Sequence, residues 1–364
     1  MALALALHRQ GNSVRIFEAR QRGAVRNDAR ILALSHGSRQ ILESLVVWEQ
    51  IASTPIDAIH VSQRGGFGRT RLAASEEELP ALGYVVAAAS LGAALDSALM
   101  AVGAPYLEQT RVDRVHRSDA GMRLHTSSGE AEAQLVVYAE GGAGVNADAD
   151  TGAIACDYGQ SAVICRVDLA APHGNIAWER FTDQGPVALL PLGSQMALVY
   201  SCASERALAL SQLGEEEFLA DLRRLFGTRM KFVGASQRLV YPLSLRLRRS
   251  PVAARTVWLG NAAQTLHPVA GQGFNLALRD VAQLARCLVA AGDPGADGLL
   301  RGYAGARRLD RIATIGCTDA LARLFTVDLP LASAARGAVL LGLDLLPPLR
   351  HFVARRMIFG ARAF

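Results

Sequence analysis

The sequence predicts an α/β protein: a doubly wound nucleotide-binding domain, its first strand and glycine loop missing, joined to a domain built on an antiparallel β-sheet. Three observations carry this expectation. The chain opens on a helix, a glycine, a strand and an acid, which is the second half of a βαβ nucleotide-binding unit. Two distant apolar runs, Leu135–Ala139 and Thr256–Leu259, read as strands buried on both faces, as in a parallel sheet. Between them, from Asp157 to about Pro242, the pattern changes to short β-rich segments.

Residues Met1–Gln10 read as a helix ended by Gly11, and Ser13–Glu18 alternates like a strand before closing on its acid. Ser35–Val47 is expected to be helical, with Ile41, Leu42, Leu45 and Val46 on one face. Strands at Ile56–Ser62 and Tyr84–Ala88 flank a Gly65-Gly66-Phe67-Gly68 turn, and a helix follows at Leu91–Ala101. A strand at Gln109–Val115 and a hairpin at Gly121–Thr126 lead to the apolar strand at Leu135, which runs into Glu140-Gly141-Gly142. In the middle section, strands are expected at Ala162–Asp168, Ile176–Phe181, Val187–Leu190 and Met196–Ser201, with a helix at Glu215–Phe226. They suit a separate sheet forming the wall or lid of a substrate site. The Thr256 strand leads through a glycine-rich turn to a helix at Asn275–Ala291, and Leu299–Phe364 is mostly helical, broken at Pro330 and Pro347-Pro348. The expected division is therefore a nucleotide-binding domain from 1–60, 85–155 and 245–330, a substrate domain from 61–84 and 156–244, and a helical tail at 331–364.

With 364 residues, 51% hydrophobic and 20% charged, the chain has the balance of a globular protein large enough for two packed domains. The net charge of +5 suits anionic membranes or phosphate-bearing cofactors and does not argue for nucleic acid. Cys156, Cys165, Cys202, Cys287 and Cys317 are odd in number and lack metal-ligand spacing, so free thiols in a reducing, cytoplasmic compartment are expected, with no metal site. No apolar run reaches the roughly 18–20 residues that span a bilayer. Met1–Leu7 is apolar but has neither a basic leader nor a cleavage site, so it does not read as a signal peptide.

The segment richest in chemistry runs Gly260-Asn261-Ala262-Ala263-Gln264-Thr265-Leu266-His267-Pro268-Val269-Ala270-Gly271-Gln272-Gly273-Phe274-Asn275. Glycines at a helix start let backbone N–H groups approach an anionic ligand without interference from Cβ, and the helix dipole adds attraction. Pro268 stiffens the approach. Taken as bare spacing, the same string is compatible with a plain tight turn between strand and helix.

The full string resembles the second FAD motif of the flavoprotein aromatic hydroxylases, specifically the ubiquinone-biosynthesis branch of the 2-octaprenyl-6-methoxyphenol hydroxylase type. Asn261 stands where the wider superfamily usually carries aspartate. Further matching stretches are Asp28-Ala29-Arg30-x-x-Ala33-Leu34-Ser35, Gly37-Ser38-Arg39-Gln40-Ile41-Leu42 and Ile59-His60-Val61-Ser62 with Gly66-Phe67-Gly68. Leu82-Gly83-Tyr84-Val85-Val86 and Asp157-Tyr158-Gly159-Gln160 also match, so the resemblance covers nearly the whole chain in order.

The resemblance implies a flavin-dependent monooxygenase that hydroxylates the ring of a polyprenyl phenol in ubiquinone biosynthesis, with FAD as cofactor, NAD(P)H as electron donor and O2 as oxidant. Gly260, Asn261, Gly271, Gln272, Gly273 and Asn275 would contact the ribityl chain, pyrophosphate and isoalloxazine edge, with Gly141 and Pro268 completing the set. Glu18 would bind the adenosine ribose hydroxyls, which the strand-end spacing also suggests. Arg30 would lie near the pyrophosphate, and Arg39 and Gln40 are weaker candidates. His267 is read as a structural residue that orients the loop. No catalytic base is identified. Other ubiquinone-biosynthesis proteins are candidate partners.

Two departures from the family pattern stand out. The first strand and glycine loop would lie upstream of Met1, so either a longer protein is encoded or the chain is a truncated copy, acting in the extreme as a FAD-free scaffold. The family's Asp-Gly pair appears as Glu140-Gly141, and Gly142-Ala143-Gly144 with Asn146 and Asp148 only loosely echo the polar segment that follows it. A flavin hydroxylase of a soluble aromatic is a further alternative. Finally, Ala338–Phe364 mixes leucines, Phe352, Val353, Met357, Ile358 and Phe359 with Arg350, Arg355, Arg356 and Arg362. That pattern suits either peripheral contact with an anionic inner membrane or packing on the protein's own core.

Overall fold

In a computed structural model, residues 1–119, 121–141, 153–289, 291–324 and 330–360 are described. Helix α1 (Ala2–Arg9) ends at Gly11, whose φ of +82° places it in the left-handed region. The strand after it is only Ile16–Phe17, paired in parallel with Tyr106–Leu107. Val136–Tyr138 pairs in parallel with Thr256–Trp258. Among the described residues these two parallel pairs belong to separate sheets, and Val14–Phe17 and Leu135–Ala139 both border the central cavity. The expected strand at Gln109–Val115 forms as Val112–Ser118 in a three-stranded hairpin sheet, and an unanticipated short strand, Tyr106–Leu107, precedes it in the parallel pair.

Helices α2 (His36–Ser44) and α3 (Ala88–Ala101) pack with α1 around Leu5, Leu42, Val86 and Leu99, all fully buried. The Ser35 side chain caps α2 by accepting the Ser38 N–H, which satisfies one donor left free at the helix start. A second core joins α1 to the strand at Val257 and to the helices Gln272–Cys287 and Asp297–Leu324 through Leu7, Leu284 and Tyr303.

The middle of the chain forms a nine-stranded sheet. From one edge its main path runs Gln264–Thr265, Leu239–Arg248, Ala153–Leu169, Gln195–Ala203, Gly185–Leu192, Ile176–Thr182, Ala58–Gln63 and Arg69–Ala73, while Phe232–Ala235 also pairs with Ala153–Leu169. It is antiparallel except where Ile176–Thr182 runs parallel to Ala58–Gln63. Strands Ala58–Gln63, Ala153–Leu169 and Leu239–Arg248 each cross an expected domain boundary, so the two units share strands. Alternation gives the sheet two apolar faces. Val163, Leu189, Met196, Leu198 and Tyr200 point into a core covered by α4 (Ser204–Gln212) and α5 (Glu215–Phe226), and the opposite face borders the cavity.

Helix α6 spans Gln272–Cys287, beginning three residues earlier than expected, and α7 spans Asp297–Leu324. Helices α8 (Pro330–Leu345) and α9 (Pro347–Phe359) meet at an angle of 102°. Both expected proline breaks are helix starts, where the missing N–H costs nothing. Among the described residues no single helix is long and apolar enough to cross a membrane. Leu340 and Ile358 are buried, whereas Leu345, Leu346, Leu349 and Phe352 are exposed. Arg362, Gly142-Ala143-Gly144, Asn146 and Asp148 lie outside the described residues.

Candidate cofactor and substrate site

A cavity of about 1750 Å³ runs through the middle of the chain. It is bordered by Glu18, Arg20 and Gly23–Val25, by Glu140, Gly141, Gly260 and Asn261, and by Thr265–Gly271 and Gly273. It continues along the free face of the large sheet to the inner sides of α7, α8 and α9. Eight of the ten residues anticipated as cofactor-binding thus border one space: Glu18, Arg30, Gly141, Gly260, Asn261, Pro268, Gly271 and Gly273.

The other two, Gln272 and Asn275, stand behind the cavity wall. Asn275 is buried and directs both ends of its amide at protein. Its Oδ1 accepts from the Ser35 N–H (2.9 Å) and the Ser38 hydroxyl (2.7 Å), and its Nδ2 donates to the carbonyls of Ala33 (2.9 Å) and Gly271 (2.8 Å). These four bonds use the full hydrogen-bonding capacity of the amide. Gln272 Nε2 donates to the Ala270 carbonyl at 3.2 Å. Both side chains therefore shape the loop.

That loop carries two successive left-handed residues, Ala270 (φ +59°) and Gly271 (φ +59°), immediately before α6. Alanine pays for this conformation where glycine does not, so the loop's hold on it comes from its surroundings. His267 is one of those surroundings. It is 1% exposed, its Nδ1 accepts the Val269 N–H at 3.1 Å, and its ring edge meets Tyr158 at 5.4 Å. Burial pushes its pKa down to about 4, so the neutral imidazole acts as a brace.

Beneath the loop, α6 is tied to α7 by buried charges. Asp310 accepts from Arg279 Nε (2.8 Å) and Arg307 Nη2 (2.6 Å), and Asp280 accepts from Arg307 Nε (2.6 Å) and Gln264 Nε2 (2.9 Å). Arg311 Nε donates to Gln264 Oε1 at 3.0 Å. Gln264, part of the glycine-rich motif, is therefore a structural link. Burial alone would raise Asp310, but the two guanidiniums hold it below the usual carboxylate range.

Glu18 sits at the end of its short strand, where Arg20 donates to it from Nε at 3.0 Å. Burial raises its pKa, Arg20 more than offsets this, and the carboxylate stays ionised. Arg30 folds back on Asp28 through a bidentate pair with a shortest contact of 2.6 Å. The Glu140 carboxyl is raised by burial. Arg39 lies outside the cavity, pairing with Glu43 and stacking on Trp48 and Tyr84.

These features fit FAD. An ionised acid stands at a strand end for ribose hydroxyls, and a helix N-terminus meets the cavity through Gly271 and Gly273. A Cβ at Gly273 would meet nothing within 4 Å, so the space above its backbone is open to a ligand.

Sequence reasoning missed one residue inside the cavity. Glu179 lies on the cavity face of the strand Ile176–Thr182, between Ala177 and Phe181, which share that face. The available signal was an acid at the apolar phase of an alternating strand. The buried charges of α6 and α7 were also missed, although the Arg307, Asp310 and Arg311 spacing puts them on one helix face.

The chain matches the family described as FAD binding domain over residues 1–315. Ubiquinone hydroxylase UbiL of Rhodospirillum rubrum is 34% identical over 367 residues, covering 97% of this chain and 85% of that protein. The 3-demethoxyubiquinol 3-hydroxylase of Escherichia coli is 31% identical over 300 residues, covering 80% and 77%. Among solved structures, Klebsiella pneumoniae HpxO complexed with FAD and uric acid superposes with a TM-score of 0.77 at 16% identity, covering 100% of this chain and 94% of that one. A Pseudomonas aeruginosa PqsL mutant gives 0.75 at 22% identity, covering 93% and 95%. At these identities the two structures speak for the fold.

Proposed function

We propose, from a chain that belongs to the FAD-dependent hydroxylase family of ubiquinone biosynthesis, that its site hydroxylates the aromatic ring of a polyprenyl phenol. The observation that carries this is the continuity of the cavity. The cofactor-side residues Glu18, Gly260 and Gly271 open into the same space as an apolar sheet face and the inner sides of α8 and α9. A ring and the start of an isoprenoid tail suit that apolar end.

FAD, when bound and reduced by NAD(P)H, supplies the O2-activating chemistry. The chain's residues bind, orient and exclude water. Glu18 would hold the ribose hydroxyls, Arg30 would lie near the pyrophosphate, and Gly141, Gly260 and Asn261 would leave room for the middle of the cofactor. Pro268, Gly271 and Gly273 present the loop backbone to the ring system, while Gln272, Asn275 and His267 hold that backbone in place. The unit from 1–60, 85–155 and 245–330 takes the cofactor, and the sheet from 61–84 and 156–244 takes the substrate. Of the tail expected at 331–364, α8 and α9 cover the apolar part of the cavity.

The exposed Leu345, Leu346, Leu349 and Phe352 at the α8–α9 elbow support peripheral contact with a membrane on the cytoplasmic side, although Arg350 there is taken up by Glu76; other ubiquinone-biosynthesis proteins are candidate partners. The test is an absorbance spectrum of the purified chain with and without added FAD, followed by incubation with a polyprenyl phenol, NADH or NADPH, and O2. A flavin spectrum and a product heavier by one oxygen support the reading. A colourless chain that retains partners from the pathway would support a scaffold instead. Equal turnover of phenols without a tail would support a soluble aromatic substrate.

A further inference from the structure

One row of side chains crosses the cavity face of the large sheet: Ile164, Val199, Ala188, Glu179, Val61 and Thr70. Each is the direct cross-strand partner of the next. The pairs run Ile164↔Val199, Val199↔Ala188, Ala188↔Glu179, Glu179↔Val61 and Val61↔Thr70, and all six border the cavity. Glu179 is the charged member of this row. Val61 and Phe181 pack on Val269 of the Pro268–Gly271 loop, so the carboxyl stands one strand position from the wall assigned to the cofactor.

Among the described residues no hydrogen bond or ion pair is recorded for the Glu179 side chain, whereas the buried acids Asp280 and Asp310 are each held by arginines. An acid that spends desolvation energy without a partner is a candidate for meeting one that arrives as ligand.

We propose that Glu179 binds the phenolic hydroxyl of the substrate and takes its proton as the ring is oxygenated. The proposal rests on the aromatic-hydroxylase reading above. The O–H bond of the phenol breaks, a new O–H bond forms on a Glu179 carboxylate oxygen, and the electron pair left on the phenolic oxygen delocalises into the ring. The ring becomes a better nucleophile toward an electrophilic oxygen, and this step itself involves no change of oxidation state. Burial raises the Glu179 pKa to about 7, which suits a base working near neutrality. Charged groups border the same cavity at Glu18, Arg20, Arg30 and Glu140, yet burial alone shifts Glu179; on the loop and on α7 the titratable groups are His267 and Cys317. His267 stays neutral, with its pKa near 4, and burial raises the Cys317 thiol, so neither places a charge opposite Glu179 at neutral pH. His60 of the neighbouring strand stacks on Trp178, on the other side of the sheet.

The experiment uses FAD-loaded protein, 2-prenylphenol and the O-methyl ether of that phenol. Dissociation constants are measured by calorimetry for the unmodified chain, Glu179→Gln and Glu179→Leu. The unmodified chain is expected to prefer the phenol by on the order of tenfold, as one charge-assisted hydrogen bond allows. In Glu179→Leu that preference disappears. Turnover of the unmodified chain rises as pH passes through about 7, and Glu179→Gln, which keeps the shape of the side chain, loses that rising limb. A Leu variant that retains the preference, or a Gln variant that retains the limb, overturns the proposal. If the unmodified chain binds neither compound, the phenol-hydroxylase reading falls and this proposal falls with it.

Discussion

Replacing Asp310 with asparagine tests whether the buried charges under the glycine-rich loop hold α6 against α7. Asp310 is fully buried, and one of its oxygens accepts from both Arg279 and Arg307. The cluster sets three guanidiniums, Arg279, Arg307 and Arg311, against two carboxylates, Asp280 and Asp310. Its excess of one positive charge becomes two in the variant. Arg279 cannot absorb the loss, because its Nη1 is already buried without a partner. Replacing the carboxylate acceptor with a neutral amide oxygen weakens both guanidinium hydrogen bonds and costs about 2 kcal/mol. Removing one partner of a buried ion pair raises the expected loss to about 3–5 kcal/mol. The assay is equilibrium urea unfolding followed by tryptophan fluorescence, with the midpoint falling and the slope unchanged. The wild-type contribution is present above the ordinary carboxylate pKa and is lost as pH falls through the lowered Asp310 pKa, so the gap between the proteins should narrow in acid. A loss under about 1 kcal/mol at neutral pH would refute the claim that this cluster braces the loop.

Glu179 makes the opposite kind of demand on stability. Its folded-state pKa is raised to about 7, so its favourable contribution is present below the ordinary glutamate value of 4.5 and is lost as pH rises through 7. Glu179→Gln should therefore unfold later than wild type at pH 8, by up to about 3 kcal/mol, with little difference at pH 4; equal pH dependence in the two proteins would contradict the burial argument. Asn275→Ala removes four hydrogen bonds at the loop and should cost about 2–4 kcal/mol in thermal unfolding while weakening FAD binding in a fluorescence titration. Gly68→Ala would place a Cβ 2.3 Å from the Gly337 carbonyl oxygen, with φ at +89°. It should lift α8 from the turn beneath it, and limited proteolysis is expected to cut α8 sooner in the variant.

The elements legible in the sequence are those whose ends carry their own chemistry. The helix at Glu215–Phe226 was readable to the residue because three glutamates open it and Gly227 closes it. Its neighbour Ser204–Gln212 has neither signal and was not anticipated. The strand expected at Ser13–Glu18 shrinks to Ile16–Phe17 because strand length follows hydrogen-bonded pairing, and only Tyr106–Leu107 pairs with it. Helix α6 starts at Gln272 because Gly271 takes the left-handed conformation just before it. At the site, glycines and the strand-end acid announced themselves by type and spacing. The roles of Gln272 and Asn275 did not, since whether an amide faces a ligand or the protein depends on what stands behind it. Glu179 was hidden for a similar reason, because only the register across five strands shows that its neighbours are all uncharged.

The strand Ala153–Leu169 is 17 residues long and pairs along one edge with Leu239–Arg248, which itself carries the short strand Gln264–Thr265 leading into the loop. A register shift between Asp157 and Gln160, with Gly159 at φ +63°, lets it bend without ending. At about 3.3 Å per residue it spans on the order of 55 Å, as a single beam built into both the cofactor side and the substrate side of the molecule. A hinge between those sides would have to break its ladder. The gap between loop and sheet face is therefore held as a fixed gauge by one continuous ladder.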